Sequence, residues 1–439
     1  MRSPTTVQDT DVLIIGGGPA GTTAGALLAE RGHAVILLEK DTHPRFHIGE
    51  SLLPGNLRIL ERLGVLEAVA GIGEFKPGAD FTAPDGNTQS FPFARALGDT
   101  PAHAYQVRRS EFDALLFRNC MHKGVDARER HRVVALTREG AMHRASVVAA
   151  DEGQYEIRAR FVVDASGRDG FMAKRNGWQR RNPRHASAAV FGHFRNVARR
   201  SGDRQGNISV YWFEHGWCWM IPLKGDVMSV GAVCLPSYLK TRQGDLESFL
   251  RSTLASVPEA AARMANAEAA SPVSATGNYS YRSRRLHGPG YLLAGDAFAF
   301  IDPVFSSGVY LAMNGALTCI PAVEAWLAGD QRAYARACRH YQQIVNSKID
   351  AFSWFIYRFT TPTMRDLFRN PRNDWQVEQA VISMLAGDGD GTRDIVSRLR
   401  LFKTIYYSYR MRLIGASVHA WWRRRRAWRV PFVDETLLP

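Results

Sequence analysis

The chain has 439 residues, of which 45% are apolar and 22% are charged, a composition that is ordinary for a globular protein. This length exceeds what one hydrophobic core usually serves, so two or three structural lobes are expected. The formal net charge of +14 favours anionic partners. A signal peptide and a membrane span are not predicted, because no basic-then-apolar leader and no apolar run of roughly 18 residues is found. The five cysteines lack CxxC spacing, which disfavours a metal centre or disulfides and favours a cytoplasmic location.

The first predicted elements form a βαβ unit. Residues 11–16 (DVLIIG) predict a short buried strand, because the run is apolar, too short for a helix and ended by glycine. A helix of small residues follows to about Arg31, and residues 34–40 (AVILLEK) predict the second strand. A unit of this kind is typical of nucleotide-binding folds.

The turn between this strand and helix matches GxGxxG. Gly16 permits the tight turn, Gly18 lets the backbone approach a pyrophosphate, and Gly21 lets the helix pack closely on the strand. At Pro19 and Ala20 the helix N-terminus offers free N–H groups to phosphates. The spacing predicts a dinucleotide site, and a glycine turn without a ligand is the alternative.

An acid ends the second predicted strand. Glu39 stands where a carboxylate should bond the ribose hydroxyls, and we expect its neighbour Lys40 at the same site. Rossmann loops bind NAD as well as FAD, so these residues leave the choice of cofactor open.

Later apolar runs extend the predicted fold. Residues 160–167 and 290–296 predict further buried strands, residues 187–281 alternate as in an antiparallel sheet, and helical composition dominates from about Ala333. We predict a mixed α/β (α+β) fold with a Rossmann-type cofactor lobe, an interleaved antiparallel substrate lobe and a helical C-terminal region. The cofactor lobe is expected at 1–186 and 285–345, with a small substrate-lobe insertion near 80–105. The substrate lobe is expected at 187–284 and the helical C-terminal region at 346–439.

Three motifs indicate a resemblance to a known superfamily. They are Gly295-Asp296 at a strand end, Asp164 to Arg168 (DASGR), and Arg109 in VRRSEFD. With these motifs the sequence resembles the FAD-dependent superfamily of aromatic hydroxylases, geranylgeranyl reductases and halogenases. The resemblance implies a Rossmann-type lobe that binds FAD, with Asp296 bonding the ribityl chain and Arg109 contacting the flavin. A second strand-preceded GxGxxG is not visible in the sequence, so a resident nicotinamide is not expected.

Further motifs narrow the resemblance. Residues 217–222 (WCWMIP) reproduce WxWxIP of flavin-dependent halogenases, and Lys76 in GEFKPGADF stands where that family carries its catalytic lysine. Residues 46–51 (FHIGES) and 305–308 (FSSG) match the loops around flavin and halide in the branch acting on phenols and pyrroles. The similarity extends to about residue 350. It implies a flavin-dependent halogenase that receives reduced FAD from a separate reductase and uses chloride or bromide.

The resemblance also implies site roles. Glu50, Ser51 and Gly308 are expected at the flavin, and Ser306 and Ser307 at the halide, where backbone N–H groups form a small anion nest.

The catalytic residues implied by the resemblance are Lys76, Trp217 and Trp219. The two indoles wall the flavin off from the substrate, so that hypohalous acid forms at the flavin and travels to the substrate. Lys76 hydrogen-bonds that oxidant or forms a haloamine, since a lysine amine changes its pKa readily on burial and can act as a nucleophile.

One departure bears on the substrate. The tryptophan-specific branch carries a glutamate where this sequence has Phe305, so a phenol or pyrrole is expected. The compact length resembles members that act on aromatics tethered to an acyl or peptidyl carrier protein, such as pyrrolyl groups and aryl-polyene precursors. The alternatives are a geranylgeranyl-reductase-type enzyme and an aromatic monooxygenase of the same fold.

The C-terminal region carries much of the positive charge. From Arg398 to Arg429 there are ten basic residues and no acidic one, interleaved with tyrosines and tryptophans. This pattern predicts docking of an acidic carrier protein or peripheral contact with an anionic membrane surface, and a solvated helix face is the alternative. Nucleic acid is not an expected partner, because a nucleic-acid binder would not need the flavin motifs.

Overall fold

The computed structural model describes residues 7–151, 153–369, 371, 373–388, 392–412 and 422. Its strands in chain order are β1 (Val7–Ile15), β2 (Val35–Leu38), β3 (Glu74–Lys76), β4 (Gly78–Thr82), β5 (Thr88–Pro92), β6 (Ala104–Gln106), β7 (Asp126–Arg128), β8 (His131–Glu139), β9 (Met142–Ala149), β10 (Gly153–Asp164), β11 (Gln179–Arg195), β12 (Ile208–Phe213), β13 (Gly216–Leu223), β14 (Val227–Cys234), β15 (Glu268–Ala269), β16 (Ser274–Ser283), β17 (His287–Gly288), β18 (Tyr291–Leu293) and β19 (Ala299–Phe300).

The helices in chain order are α1 (Pro19–Ala29), α2 (Pro54–Leu63), α3 (Leu66–Ile72), α4 (Arg109–His122), α5 (Phe171–Arg175), α6 (Pro236–Leu239), α7 (Leu246–Ala255), α8 (Pro258–Arg263), α9 (Ser307–Leu327), α10 (Gln331–Ile356), α11 (Pro362–Arg369), α12 (Val377–Leu385) and α13 (Arg393–Arg412). The predicted βαβ unit is confirmed, as is the predicted helical composition between about residue 333 and residue 412, where the described part of that region ends apart from residue 422. Among the described helices, none is long and apolar enough to cross a bilayer.

The first sheet has a parallel centre in the order β18-β10-β1-β2-β7. β2 and the second half of β1 (residues 12–15) are buried apolar runs without alternation, as expected for strands covered on both faces, and α1 packs against α4 and α9. In the register, Ile15 lies beside both Leu38 and Asp164, and Asp164 lies beside Leu293. The carboxyl ends of four strands therefore meet at one edge, which is where ligands bind in such sheets.

The second sheet runs in the order β19-β16-β11-β14-β13-β12-β4-β5. Its central pairs are antiparallel, as predicted, but β12 pairs with β4 in parallel. β4 and β5 form a hairpin from the first hundred residues that extends the sheet at β12. A parallel neighbour distant in sequence leaves no local signal, so periodicity alone could not predict it.

Strand alternation divides the WCWMIP run of β13 between two cores. Trp217, Trp219 and Ile221 belong to the large core shared with the first sheet, whereas Cys218 and Met220 pack in a separate cluster on the opposite face. Successive side chains of a strand point to opposite faces. The two indoles, which are two positions apart, therefore lie on the same face.

Candidate active site

The three motif glycines have different neighbours. A Cβ on Gly16, whose φ is +107°, would lie 2.4 Å from the carbonyl oxygen of Ala165, and one on Gly21 would lie 1.9 Å from that of Gly16. For Gly18 the nearest atom is Nη2 of Arg45, at 4.0 Å. Gly16 and Gly21 are thus required by the turn and the close helix, while Gly18 leaves space open for a ligand at the N-terminus of α1.

Glu39 is held in place by the turn itself. Its buried carboxylate accepts hydrogen bonds from the N–H groups of Gly17 at 2.8 Å and Asp41 at 3.0 Å, and from Arg45 at 3.3 Å. The neighbouring Lys40 forms an ion pair with Asp169 at 2.5 Å. A carboxylate fixed by backbone donors beside the glycine turn suits a ribose diol.

A cavity of about 770 Å³ opens at the carboxyl edge of the first sheet and reaches the second sheet. Its lining includes residues predicted from the sequence, namely Gly16, Gly18, Pro19, Ala20, Glu39, Lys40, Glu50, Ser51, Arg109, Trp217, Trp219, Asp296, Ser306 and Gly308. Three other predicted residues, Gly21, Lys76 and Ser307, do not contribute to this lining. The volume is in the range of cofactor and ligand sites.

Asp296 lies in a turn directly after β18. Burial raises the pKa of its carboxyl group to about 6, and the positive charges of Arg168 and Arg109 oppose that rise. Arg109, on α4, donates two hydrogen bonds to Asp113, at 2.8 and 2.9 Å, and one to the carbonyl oxygen of Ile48 at 2.9 Å. Arg109 therefore fixes the loop of residues 46–51 against the cavity.

Lys76, the last residue of β3, is 1% exposed. Its Nζ donates hydrogen bonds of 2.8 Å each to Ser51 Oγ and to the carbonyl oxygen of Leu52, and it lies 5.2 Å from the ring centroid of Phe93. Desolvation lowers the pKa of this amine to about 7. Since Ser51 lines the cavity, one hydroxyl group separates the cavity from the amine.

The two indoles form part of the opposite wall. The centroids of Trp217 and Trp219 are 5.7 Å apart, and Trp219 Nε1 donates to Ser229 Oγ at 3.3 Å. A Cβ on Gly231 of β14 would lie 2.3 Å from Trp219, so this glycine makes room for the indole. Sequence reasoning missed Gly231, although a glycine within a strand often marks close approach of another group.

The serine turn begins α9. Ser306 has a φ of +56° and Ser307 is fully buried, with an Oγ that has no hydrogen-bond partner among the described residues. A Cβ on Gly308 would meet no atom within 4 Å. The start of a long helix gives this turn free N–H groups and a positive dipole end, which suits an anion. The halide role of the two serines stays a prediction.

Phe305, just before this turn, is buried in an aromatic cluster. Its ring centroid lies 5.3 Å from that of Phe359 and 6.3 Å from that of Phe81. An uncharged ring thus stands at the position where the tryptophan-specific branch carries a glutamate.

Two residues missed by sequence reasoning also shape the site. Arg45 lies beside both the glycine turn and Glu39, and His193 of β11 contacts Glu50, with 2.9 Å between Nε2 and Oε1. Arg45 could have been noted as a cation just before FHIGES, whereas His193 sits in a long strand with no motif around it. Of the basic stretch from Arg398 to Arg429, the structure describes residues 398–412 and 422, and the arginines at positions 423–426 and 429 lie outside the described residues.

Among the described residues, no group of three or more His, Cys, Asp or Glu side chains is placed to hold a metal ion, and the five cysteines are buried and form no disulfide.

The comparisons with known proteins agree with this geometry. Residues 9–336 match the family model described as FAD binding domain. The tryptophan 2-halogenase of Chondromyces crocatus is 34% identical over 344 residues, which cover 76% of this chain and 65% of that protein. The chain thus spans just under two thirds of that relative's length. The 1H-pyrrole-2-carbonyl-(peptidyl-carrier protein) brominase of Pseudoalteromonas luteoviolacea is 31% identical over 376 residues, which cover 81% of this chain and 89% of the brominase.

Two solved structures share the fold over most of the chain. The myxobacterial chondrochloren halogenase CndH superposes with a TM-score of 0.74 at 31% identity, covering 90% of this chain and 96% of that one. A flavoprotein/dehydrogenase from Cytophaga hutchinsonii superposes with a TM-score of 0.84 at 28% identity, covering 92% and 99% of the two chains. The chain therefore belongs to the FAD binding domain family and, within it, to the flavin-dependent halogenases.

Proposed function

We propose that the chain catalyses FADH2-dependent halogenation, with chloride or bromide, of a phenolic or pyrrolic aromatic substrate. The observation that carries this proposal is the arrangement around one cavity. Both indoles of the WxWxIP motif lie in the wall of the cofactor cavity. Lys76 lies behind this wall, where its amine donates a hydrogen bond to the hydroxyl group of Ser51, which lines the cavity.

The residues of the cavity suit FAD. Gly18 leaves space for a pyrophosphate, Glu39 presents a fixed carboxylate for the ribose, and Asp296 presents a second carboxylate for the ribityl hydroxyls. Reduced FAD, once bound, supplies two electrons with which dioxygen oxidises a halide to hypohalous acid. The N–H groups of the Ser306–Ser307 turn hold the halide in this proposal, and a separate reductase delivers the reduced cofactor.

The hydrogen bonds of Lys76 favour a nucleophilic amine. A neutral amine has two hydrogens, and both are directed at acceptors, Ser51 Oγ and the carbonyl oxygen of Leu52. The lone pair is then free to take the halogen from hypohalous acid, which releases water and leaves a haloamine. The haloamine passes the halogen to the ring, and the ring loses a proton. A pKa of about 7 makes the neutral form abundant at physiological pH.

The pH dependence of halogen transfer follows from this assignment. Desolvation lowers the pKa of Lys76 to about 7, so the amine is charged below that pH and neutral above it. We expect the yield of halogenated product per FADH2 oxidised to rise as the pH increases through about 7. Product and FADH2 consumption measured between pH 6 and 9 check this. A yield that falls with pH would instead mean that a lysine cation holds the hypohalous acid.

The two indoles argue against the aromatic monooxygenase alternative. Trp217 and Trp219 are buried between the cavity and the second sheet, which favours separation of the cofactor from the organic substrate. The buried amine of Lys76 argues against a polyprenyl reductase, because reduction of a carbon–carbon double bond uses neither halide nor a halogen acceptor.

A nicotinamide should not reduce the bound cofactor rapidly. The cavity is formed by one glycine turn with its acid and by the flavin loops, and the proposal assigns reduction to a separate protein. We expect NADPH mixed with the FAD-loaded chain to bleach the flavin at least a hundredfold more slowly than when a flavin reductase is added. Anaerobic stopped-flow absorbance checks this. Rapid bleaching by NADPH alone, accelerated by an aromatic substrate, would favour a monooxygenase.

The substrate class rests on Phe305 and on the related brominase. An apolar ring in an aromatic cluster offers no carboxylate to the amine of free tryptophan. The brominase whose length the chain nearly spans acts on a pyrrole-2-carbonyl group on a peptidyl carrier protein. We propose a phenol or pyrrole on a carrier protein as the substrate.

The experiment that tests the proposed function is a product panel. The chain, a flavin reductase, NADH, FAD, air and bromide are incubated with free and carrier-bound phenols and pyrroles. Brominated product detected by mass spectrometry, with a higher kcat/KM on the carrier, supports the proposal. Omission of bromide or FAD should abolish that product. A complete panel without any brominated compound contradicts it.

A further inference from the structure

Glu50 has a buried carboxylate of which only one oxygen has a hydrogen-bond partner among the described residues. The side chain is 1% exposed and lines the cavity. Its Oε1 contacts His193 Nε2 at 2.9 Å, while Oε2 has no hydrogen-bond partner among the residues that the structure describes. A buried carboxylate oxygen left without a partner is costly, and such groups are usually kept for chemistry or for a ligand.

His193 lies between this carboxylate and the solvent. It lies on the same face of β11 as Phe191, which packs against Trp219, so the imidazole points towards the cavity wall. Its side chain is 17% exposed, and its ring lies edge-on to Phe46 at 5.9 Å. The imidazole therefore touches solvent on one side and Glu50 on the other.

The backbone around Glu50 is fixed. Its carbonyl oxygen accepts from the N–H of Val107 at 2.7 Å, the preceding loop is held by Arg109 at Ile48, and the following Ser51 is held by Lys76. Glu50 can therefore turn its carboxyl group without moving its main chain, which is what a transfer of protons between two fixed places requires.

The proposed reaction consumes a proton. One FADH2, one dioxygen, one halide ion and one proton give one FAD, one hypohalous acid and one water. The cofactor and the halide each give two electrons, and dioxygen accepts four. Trp217 and Trp219 close part of the cavity wall, and a titratable pair that reaches solvent beside them can supply that proton.

Other titratable and charged groups face Glu50. Arg109 on α4 interacts electrostatically with Glu50, Asp113 and Asp296, and Lys76 lies beyond Ser51. Arg109 is permanently charged and cannot donate the proton.

His47, on the same loop, is a poor proton source as well. Desolvation, with the charge of Arg109, lowers the pKa of His47 to about 4, so it is neutral at physiological pH.

We propose that His193 and Glu50 form a proton-transfer pair that delivers this proton from solvent to the cofactor cavity. The inference rests on the proposed function. His193 Nε2 passes its proton to Glu50 Oε1, the carboxyl group rotates, and the O–H is presented to the cavity, where the proton joins the oxygen that leaves as water. His193 then regains a proton from solvent at its exposed edge.

The first test replaces each member of the pair in turn by a group that cannot pass on a proton. His193→Gln keeps an N–H donor towards Glu50, and Glu50→Gln keeps the shape of the side chain. Bromide-dependent reoxidation of bound FADH2 by dioxygen, followed by stopped-flow without organic substrate, should slow at least tenfold in both variants. His193→Ala should slow similarly and recover with added imidazole. His215→Gln serves as the matched control, because His215 is similarly exposed but stacks on Tyr238 and does not line the cavity.

The second test does not depend on halogenation. The bound FAD is reduced anaerobically by rapid mixing with a chemical reductant, and the rate of proton uptake from the medium is followed with a pH indicator. We expect proton uptake at least tenfold slower in His193→Gln and Glu50→Gln than in the parent and in His215→Gln, with the FAD dissociation constant of His193→Gln within about threefold of the parent's. Parental rates of reoxidation and of proton uptake in His193→Gln, or no effect of imidazole on His193→Ala, would overturn the pair. A chain that brominates nothing but still shows the proton difference would overturn the proposed function and leave the pair standing.

Discussion

Lys76→Ala should bind FAD and consume oxygen at close to the parental rate, yet lose transfer of halogen to carbon. The cofactor cavity is lined without Lys76, whose amine touches it only through Ser51. Removing one strong polar contact worth about 2–4 kcal/mol lowers the rate roughly 30- to 1000-fold. If the amine carries the halogen covalently, the loss is nearly complete. Brominated product by mass spectrometry and FADH2 oxidation by stopped-flow measure the two halves of this prediction.

Two further variants sharpen the test of Lys76. Lys76→Arg keeps a positive charge but is a much poorer nucleophile, so it should recover little activity if the haloamine forms. Lys123→Ala removes a surface lysine that pairs with Glu30 and should behave as the parent does. Near-normal brominated product from Lys76→Ala would show that the lysine has no part in the chemistry.

Gly18→Val should fold normally and lose FAD. The backbone of Gly18 is extended, with φ −78° and ψ −176°, a conformation that valine adopts readily, and its Cβ would meet no atom closer than 4.0 Å. The added methyl groups would occupy the space proposed for the pyrophosphate. We expect FAD affinity to fall at least a hundredfold, about 2.7 kcal/mol or more, with little change in the melting temperature of the cofactor-free protein.

Gly21→Val provides the contrast. Its Cβ would lie 1.9 Å from the backbone of Gly16, so this variant should fail to fold rather than fold without cofactor. Flavin fluorescence titration and circular dichroism distinguish the two outcomes. A Gly18→Val protein that keeps parental FAD affinity would show that the phosphates bind elsewhere.

Local patterns in the sequence predicted much of the fold and the cofactor cavity. The GxGxxG turn with Glu39 requires only a strand, a helix and their spacing, all of which are local. The WxWxIP run encodes its own geometry, because residues two apart in a strand share a face, and Trp217 and Trp219 do line one wall.

Other features depend on which distant segments meet. The parallel pairing of β4 with β12 joins residues 129 positions apart, such as Ala79 and Ile208, and the contact of His193 with Glu50 joins residues 143 positions apart. Neither periodicity nor residue type identifies such partners. The burial of Lys76 behind Ser51 belongs to the same class, since a lysine in a polar loop sequence reads as a surface residue.

The most direct test of the account is the fate of oxygen and halogen in the product. The chain, reductase, NADH and FAD are supplied with bromide and with dioxygen labelled with a heavy isotope, and the aromatic product is analysed by mass spectrometry. The account predicts a product with the paired isotope peaks of bromine and no labelled oxygen, because the label leaves as water. A ring that gains labelled oxygen without bromine would contradict it and identify a monooxygenase.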